Sequence, residues 1–437
     1  LTEAGIDPSG DLAVAMLGKR ATLLVVPVGD NARFEATLTR VAGSLFAATQ
    51  LQRSKEGGLE LVRFTSPGST QTQLAYVRVG RHALLANGAD EGQLVAWAGV
   101  KDAAAMQGNA VFGASRERLG GQPVAWVFAR GGGQWIPQGT VEGATLALEL
   151  ELKAITARLD VPWPDAKTGL GALLAGKGPD AKLGLLPTGA VAVAQYSGDL
   201  SKLGEVWPWL TGQKVARAVA EVGLDVQKEL LDNVEPGTVM SLSLSDGARM
   251  DVVPRVTRML NPLRWVSVVT LAGVEDEKLA SETITKVAQL TPRFGLRMVP
   301  DRWDGDPVWR SSWVAGEGLH LGLVGDTLVG AAPESALHAS MLAVKRDKPG
   351  APPLDPAFAP LFKGHALASV FDLHRLADAV RALPSEAWGI GGFALKPTTV
   401  RWLDALRELR AVTLTVDAKG AALQAEVSLV LQVEAPR

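Results

Sequence analysis

An α+β fold, built as tandem-duplicated antiparallel sheets with helices packed on one face, is predicted by three observations. The chain repeats an apolar, β-branched run that ends in Asp and opens an amphipathic stretch. Pairs of motifs recur in the same order at a spacing of about 245 residues. Short Val-Gly turns join consecutive strand patterns, which favours antiparallel pairing.

The first repeated unit reads LLVVPVGDNARFEATL around Asp30 and AVAVAQYSGDLSKLGEVW around Asp199. It returns as WVSVVTLAGVEDEKLASETI around Asp276 and ALASVFDLHRLADAV around Asp372, with a fifth, looser copy around Asp102. The Val/Ala/Leu run is a strand buried on at least one face. Asp30, Asp199, Asp276 and Asp372 are read as helix caps, because a carboxylate accepts from the free N–H groups of a first helical turn and suits its positive end. An apolar helix stripe follows each of them, as in Phe34 with Leu38 and Leu279 with Ile284.

The second unit runs strand, Val-Gly turn, strand, helix. Tyr76 to Leu94 matches Leu321 to Leu337, and Val79-Gly80 matches Val324-Gly325. GQPVAWVF from Gly121 matches GHALASVF from Gly364, and EAGID from Glu3 matches EVGLD from Glu221. Leu146 to Val161 and Ala411 to Leu431 both read as closing hairpins with alternating pattern. The domains expected are 1–165, a first repeat that is incomplete at its N-terminus, then a Pro/Gly-rich linker over 166–188, then a second repeat over 189–437 with an insertion near 383–406. EVGLD is preceded by a strand–Asp–helix unit that EAGID lacks, so such a unit, and a targeting segment, are expected upstream of Leu1.

Composition bounds the function. Of 437 residues, Lys and Arg total 44 against 46 Asp and Glu, so the chain lacks the basic excess that draws in nucleic acid. There is no Cys, which removes disulfides, thiolate metal sites and thiol nucleophiles, and which fits an exported chain. No apolar run approaches the length of a membrane-spanning helix, although a membrane-proximal location is compatible with the sequence.

No catalytic residue and no cofactor are assigned. GALLAGKG at Gly171 has the glycines and Lys of a phosphate loop, but Gly178 stands where Ser or Thr is needed and no buried strand leads into it. The five His lie in no metal-helix spacing, and no GxSxG occurs. DRWDGDPVW is the most unusual segment: Asp301, Asp304 and Asp306 surround Gly305 and form the nearest thing to a calcium loop. A bidentate Glu at the right distance is missing, so a polar hairpin turn is the preferred reading. Twelve Trp against two Tyr leave a choice between a core of large residues and an interaction surface. The surface candidates are Trp207 and Trp209 around Pro208, with Trp303, Trp309 and Trp313.

The strand–Asp–helix units, the Val-Gly turns and the paired halves resemble uncharacterised exported proteins of high-GC bacteria built from duplicated α+β repeats. The resemblance covers most of the chain through packing motifs, carries no known activity, and implies a periplasmic or extracellular location and a non-catalytic role. The expectation is a binding or structural protein with a protein partner, a subunit or accessory of a bacterial envelope assembly. A carrier holding a lipid or glycan between sheet and helices is the alternative, and an unrecognised hydrolase the third.

Overall fold

The computed structural model describes residues 1–9, 12–17, 21–87, 91–99, 108–130, 134–136, 139–140, 142–163, 169–175, 182–205, 219–244, 266–313, 316–347, 352–382, 403–404, 406 and 408–432. The chain divides into two compact units, one of Leu1–Leu150 with Ala157–Pro162 and one of Glu151–Thr156 with Trp163–Arg437. Both are α+β, with largely antiparallel sheets.

In the first unit the elements are β1 (Ala13–Leu17), β2 (Ala21–Pro27), α1 (Asn31–Phe46), β3 (Gln50–Glu56), β4 (Leu59–Thr65), β5 (Thr72–Val79), β6 (His82–Asn87), α2 (Glu91–Ala98), α3 (Ala110–Leu119), β7 (Ala125–Arg130), a small ribbon of β8 (Gln134–Ile136) and β9 (Gly139–Thr140), and β10 (Gly143–Leu150). β11 (Ala154–Pro162) follows. The sheet runs β3-β4-β5-β6-β2-β1-β7-β10, antiparallel except where β1 meets β7. The run LLVV in β2 is apolar at every position, so both of its faces seek cover. Val26 and Val28 pack with Phe34, Leu38 and Ala42 of α1, whereas Leu23 packs with Leu94 of α2. The helices therefore take both faces of this sheet, where the sequence reading put them on one.

The second unit holds α4 (Gly169–Leu174), β12 (Ala192–Tyr196), β13 (Thr238–Leu244), β14 (Val266–Gly273), α5 (Glu277–Leu290), β15 (Leu296–Trp303), β16 (Asp306–Trp313), β17 (Gly316–Glu317), β18 (His320–Val324), β19 (Thr327–Ala332), α6 (Glu334–Arg346), β20 (Leu367–Asp372), α7 (Leu373–Ala382), β21 (Leu409–Lys419) and β22 (Ala422–Leu431). Its sheet runs β15-β16-β18-β19-β14-β13-β12-β20-β21-β22, antiparallel throughout. Leu337 and Met341 of α6 close the larger core with Val269, Leu271, Val329 and Val370. Ala280 and Ile284 of α5 close a smaller one with Trp309 and Leu323. Leu186, within the stretch read as a linker, is buried in the larger core. Most of the insertion near 383–406 lies outside the described residues.

The four capping aspartates are all in place. Asp30 accepts from the N–H groups of Ala32 and Arg33, Asp199 from Ser201, Asp276 from Leu279, and Asp372 from Arg375, at 2.9 to 3.1 Å. The Val-Gly turns are two-residue hairpins, with Gly80 at φ 57° and Gly325 at φ 54°. The glycines of EAGID and EVGLD differ. Both are left-handed, but a Cβ on Gly5 would sit 2.3 Å from the backbone N of Phe34, while one on Gly223 would meet nothing within 4 Å. Gly5 also accepts the N–H groups of Gly29 and Asp30 through its carbonyl. Gly5→Ala is therefore expected to lower stability well beyond the roughly 1 kcal/mol that backbone strain costs in Gly223→Ala. Denaturation midpoints of the two variants measure this, and equal losses would refute a wedge role for Gly5.

Candidate functional site

The segment singled out by sequence forms the β15–β16 hairpin. Asp304 and Gly305 make its two-residue turn, with φ of 51° and 88°. The three acids around it do not converge on an empty centre. Lys345 of α6 reaches Asp304 at 2.6 Å and Asp306 at 2.8 Å, and Asp301 pairs with Arg310 at 3.1 Å. Both acids hold the Lys345 ammonium above its usual pKa. The three acids are thus paired with protein cations, and among the described residues no group of three His, Asp or Glu is placed to hold a metal.

The tryptophans separate. Trp303 stacks on His338 with ring centroids 4.4 Å apart, and the Lys345 ammonium lies 5.8 Å from its ring. Its faces are engaged by the protein's own helix. Trp309 is 2% exposed and belongs to the core beneath α5, so it is not an open contact surface. This corrects the sequence reading, and the cause is register: Trp309 faces Pro300 and points with Leu323 toward α5. Trp207 and Trp209 lie outside the described residues, as does the side chain of Trp313.

Sequence reasoning missed a paired feature. In the first unit Arg63 on β4 donates from Nε to Glu91, the first residue of α2, at 2.9 Å, and also binds Glu56 of β3. In the second, Arg310 on β16 donates from Nε to Glu334, the first residue of α6, at 2.9 Å, and also binds Asp301 of β15. Each Arg ties an acid of its neighbouring strand to a more distant one at a helix N-terminus that favours negative charge. The recurrence at matching positions of both units marks it as part of the duplicated scaffold.

Beside the second clamp sits a buried histidine. His320 accepts the Ser311 N–H through Nδ1 at 3.1 Å, filling a place in the strand ladder. The Ser311 hydroxyl donates to the Leu319 carbonyl. His320 is driven below its ordinary pKa of 6.5 by burial, against an opposing pull from Glu334, with Arg310 and His338 adding smaller pushes downward. His365 pairs with Asp417 at 2.6 Å, and Asp417 also accepts the Ala366 N–H, which braces β20 against β21. His374 lies 3.6 Å from Asp378.

One further concavity lies in the first unit. A cavity of about 140 Å³ is lined by Asn31, Phe34, Glu35, Arg53, Tyr76 and Arg78, among others. Arg53 binds Glu35 and Glu60, and the Tyr76 hydroxyl donates to Glu35 at 3.4 Å. Burial, with the charge of Glu35, pushes the Tyr76 phenol up to about 12. The space suits a few waters and falls short of the several hundred Å³ of a typical organic ligand site.

No known family model matches the chain. A methionyl-tRNA formyltransferase of Rubrobacter xylanophilus is 28% identical over 127 residues, which is 29% of this chain and 35% of that protein. The chain thus spans about a third of the length of that relative. Two crystal forms of TP0453 align at TM-scores of 0.30 and 0.27, with 12% and 10% identity, covering 58% and 57% of this chain and 80% and 92% of those chains. Likeness at that level carries neither fold nor function across. No helix among the described residues is long and apolar enough to cross a membrane.

Two outcomes are expected. Millimolar calcium leaves the melting temperature unchanged, because Lys345 and Arg310 already neutralise the acids; a rise of several degrees would overturn that assignment. Acid weakens the fold through His320. Its folded pKa lies below the unfolded value, so its contribution is whole above pH 6.5 and is lost as pH falls. His320→Asn keeps an acceptor near Nδ1 and removes the proton site. Melting curves from pH 8 to pH 5 should fall less steeply for this variant than for the parent, and parallel curves would count against it.

Proposed function

We propose that this is an exported, non-catalytic binding or structural protein that acts through apolar surface contacts with a protein partner, as a subunit or accessory of a cell-envelope assembly. One observation carries the reading. On the far strands of the second sheet, polarity runs opposite to the usual arrangement of a sheet with one solvated face. Thr413, Thr415, Asp417 and Ser428 point to the buried side. Val412, Leu414 and Val416 stand on the half-exposed side, paired in register with Leu429, Val427 and Ala425. Val427 is 41% exposed and Met240, in the same row across the sheet, 43%. Aliphatic side chains kept on the wetter face favour a contact made with another surface.

The acids support the same side. Asp7, Glu56, Glu229 and Asp355 are held low by hydrogen-bond and ion-pair partners, whereas an acid poised for proton transfer near neutral pH is held high. The absence of Cys from the chain fits an oxidising compartment. The short match to a formyltransferase covers too little of either chain to move the reading toward transferase chemistry.

The test is a native mass of the protein drawn gently from its source, compared between parent, Met240→Lys/Val427→Lys and a control, Lys278→Glu, on an exposed face of α5. The expected result is a defined complex with a second protein that the double variant loses by about tenfold or more, equivalent to roughly 1.4 kcal/mol, while the control keeps it and all three melt alike. A parent that is monomeric and carries a small non-protein mass would replace this reading with a carrier. A complex indifferent to the double variant would remove the sheet face from it.

A further inference from the structure

The concavity beside Tyr76 has a counterpart position in the second unit, and the two copies differ there. The turns after β5 and β18 align Val79 with Val324, which matches Arg78 with Leu323 and Tyr76 with Leu321. Tyr76 pairs with Val62, and Leu321 with Trp309. Val62 pairs with Arg53, and Trp309 with Pro300. Counting back two residues on β4 and β16 matches Glu60 with Pro307, and counting from the capping aspartates matches Glu35 with Ser281. Each of the four charged residues around the first cavity thus has an uncharged one in its place. Where the first unit has Val62, the second has the larger Trp309, buried with Leu323 beneath α5. The duplicated scaffold therefore stands without the charged cup, so the cup is not there to hold up the fold.

The charges of the cup are unevenly paired. Arg53 is shared by two acids, bonding Glu35 and lying 3.0 Å from Glu60, so one negative charge is left over. Arg78 donates to the Gly80 carbonyl at 3.0 Å and forms no ion pair among the described residues, so one positive charge is left over too. The Tyr76 side chain is buried, and its bond to Glu35 at 3.4 Å is longer than the roughly 2.5 to 3.0 Å of an ordinary O–H···O bond, which leaves the hydroxyl available to a ligand. Buried Phe34 and Val62 supply the apolar part of the lining. We propose that this concavity binds a small zwitterion, an amino acid of about the size of alanine, with its carboxylate on Arg78 and the Tyr76 hydroxyl, its ammonium on Glu35 and Glu60, and its short side chain against Phe34 and Val62. A volume of about 140 Å³ admits a molecule of that size and turns away long side chains. A bare carboxylate would leave the surplus acid unpaired, and a bare amine would leave Arg78 unpaired, each an uncompensated charge away from bulk water. The inference goes beyond the reading proposed above and does not depend on it, since the sheet face lies in the other unit.

Saturation-transfer NMR on the 437-residue protein reads a bound ligand through its methyl protons. L-Alanine is titrated, followed by propionate and ethylamine, each of which lacks one of the two charges. L-Alanine is expected to bind with a Kd on the order of millimolar, as suits so few atoms, and both analogues to bind about tenfold more weakly or worse. Arg78→Leu, which installs the residue of the second unit, should weaken alanine by about tenfold or more, and Tyr76→Phe by several-fold. Arg40→Leu, on an exposed position of α1, should leave it unchanged. Melting curves establish that each variant is folded, and the analogue series on the parent needs no substitution at all. Propionate or ethylamine binding as tightly as alanine would overturn the zwitterion. No saturation by alanine, or binding that Arg78→Leu and Tyr76→Phe both leave intact, would overturn the site.

Discussion

The aspartate carboxylate that closes four of the strand-to-helix junctions is the interaction on which the rest of the structure depends. A buried strand delivers the chain to a helix whose first N–H groups have no partner, and the aspartate accepts from them at the point of turning. Asp30 and Asp276 do this at the ends of β2 and β14, so the directions of α1 and α5 are fixed by local hydrogen bonds as well as by the cores. The cores then follow from which face each helix covers. Gly5 sits under the first junction so closely that its missing side chain is part of the geometry. The Arg63 and Arg310 clamps hold α2 and α6 at their first residues.

Local chemistry made much of this legible. The Asp caps and the Val-Gly turns are each written within a dozen residues, and the closing hairpin of β21 and β22 in one continuous alternating stretch, where spacing and side-chain type suffice. The continuous LLVV run of β2 also announced two buried faces, and the alternative of helices on a single face neglected it. What could not be read depends on register and on partners far along the chain. Trp303 and Trp309 look alike in sequence, yet one stacks on a helix histidine and the other fills a core, because the hairpin turn at Asp304 and Gly305 sets which face each side chain takes. The acids of that turn resemble metal ligands until Lys345, some forty positions later, arrives between them. The Arg63 to Glu91 clamp spans 28 positions with no local signature.

The reversed polarity of the far strands is internally consistent. Threonine and aspartate on a buried sheet face are costly unless each polar atom finds a partner. Asp417 has His365, Lys419 and a backbone N–H, and Thr156 shares a hydrogen bond with Ser428. A polar layer so satisfied specifies register more tightly than an aliphatic one would. It leaves the aliphatic side chains to the outer face, where their use depends on what meets them.

The bond between Thr156 and Ser428 also governs the order in which this chain can mature. The two residues are 272 positions apart, and Glu151–Thr156 belongs to the second unit although it is made directly after β10 of the first. At roughly 5 to 20 residues per second, a ribosome exposes Thr156 on the order of tens of seconds before its partner exists. Until then that short stretch lacks the Ser428 partner it has in the finished molecule. The rate of synthesis and whatever holds the nascent chain therefore bear on whether that stretch finds its partner.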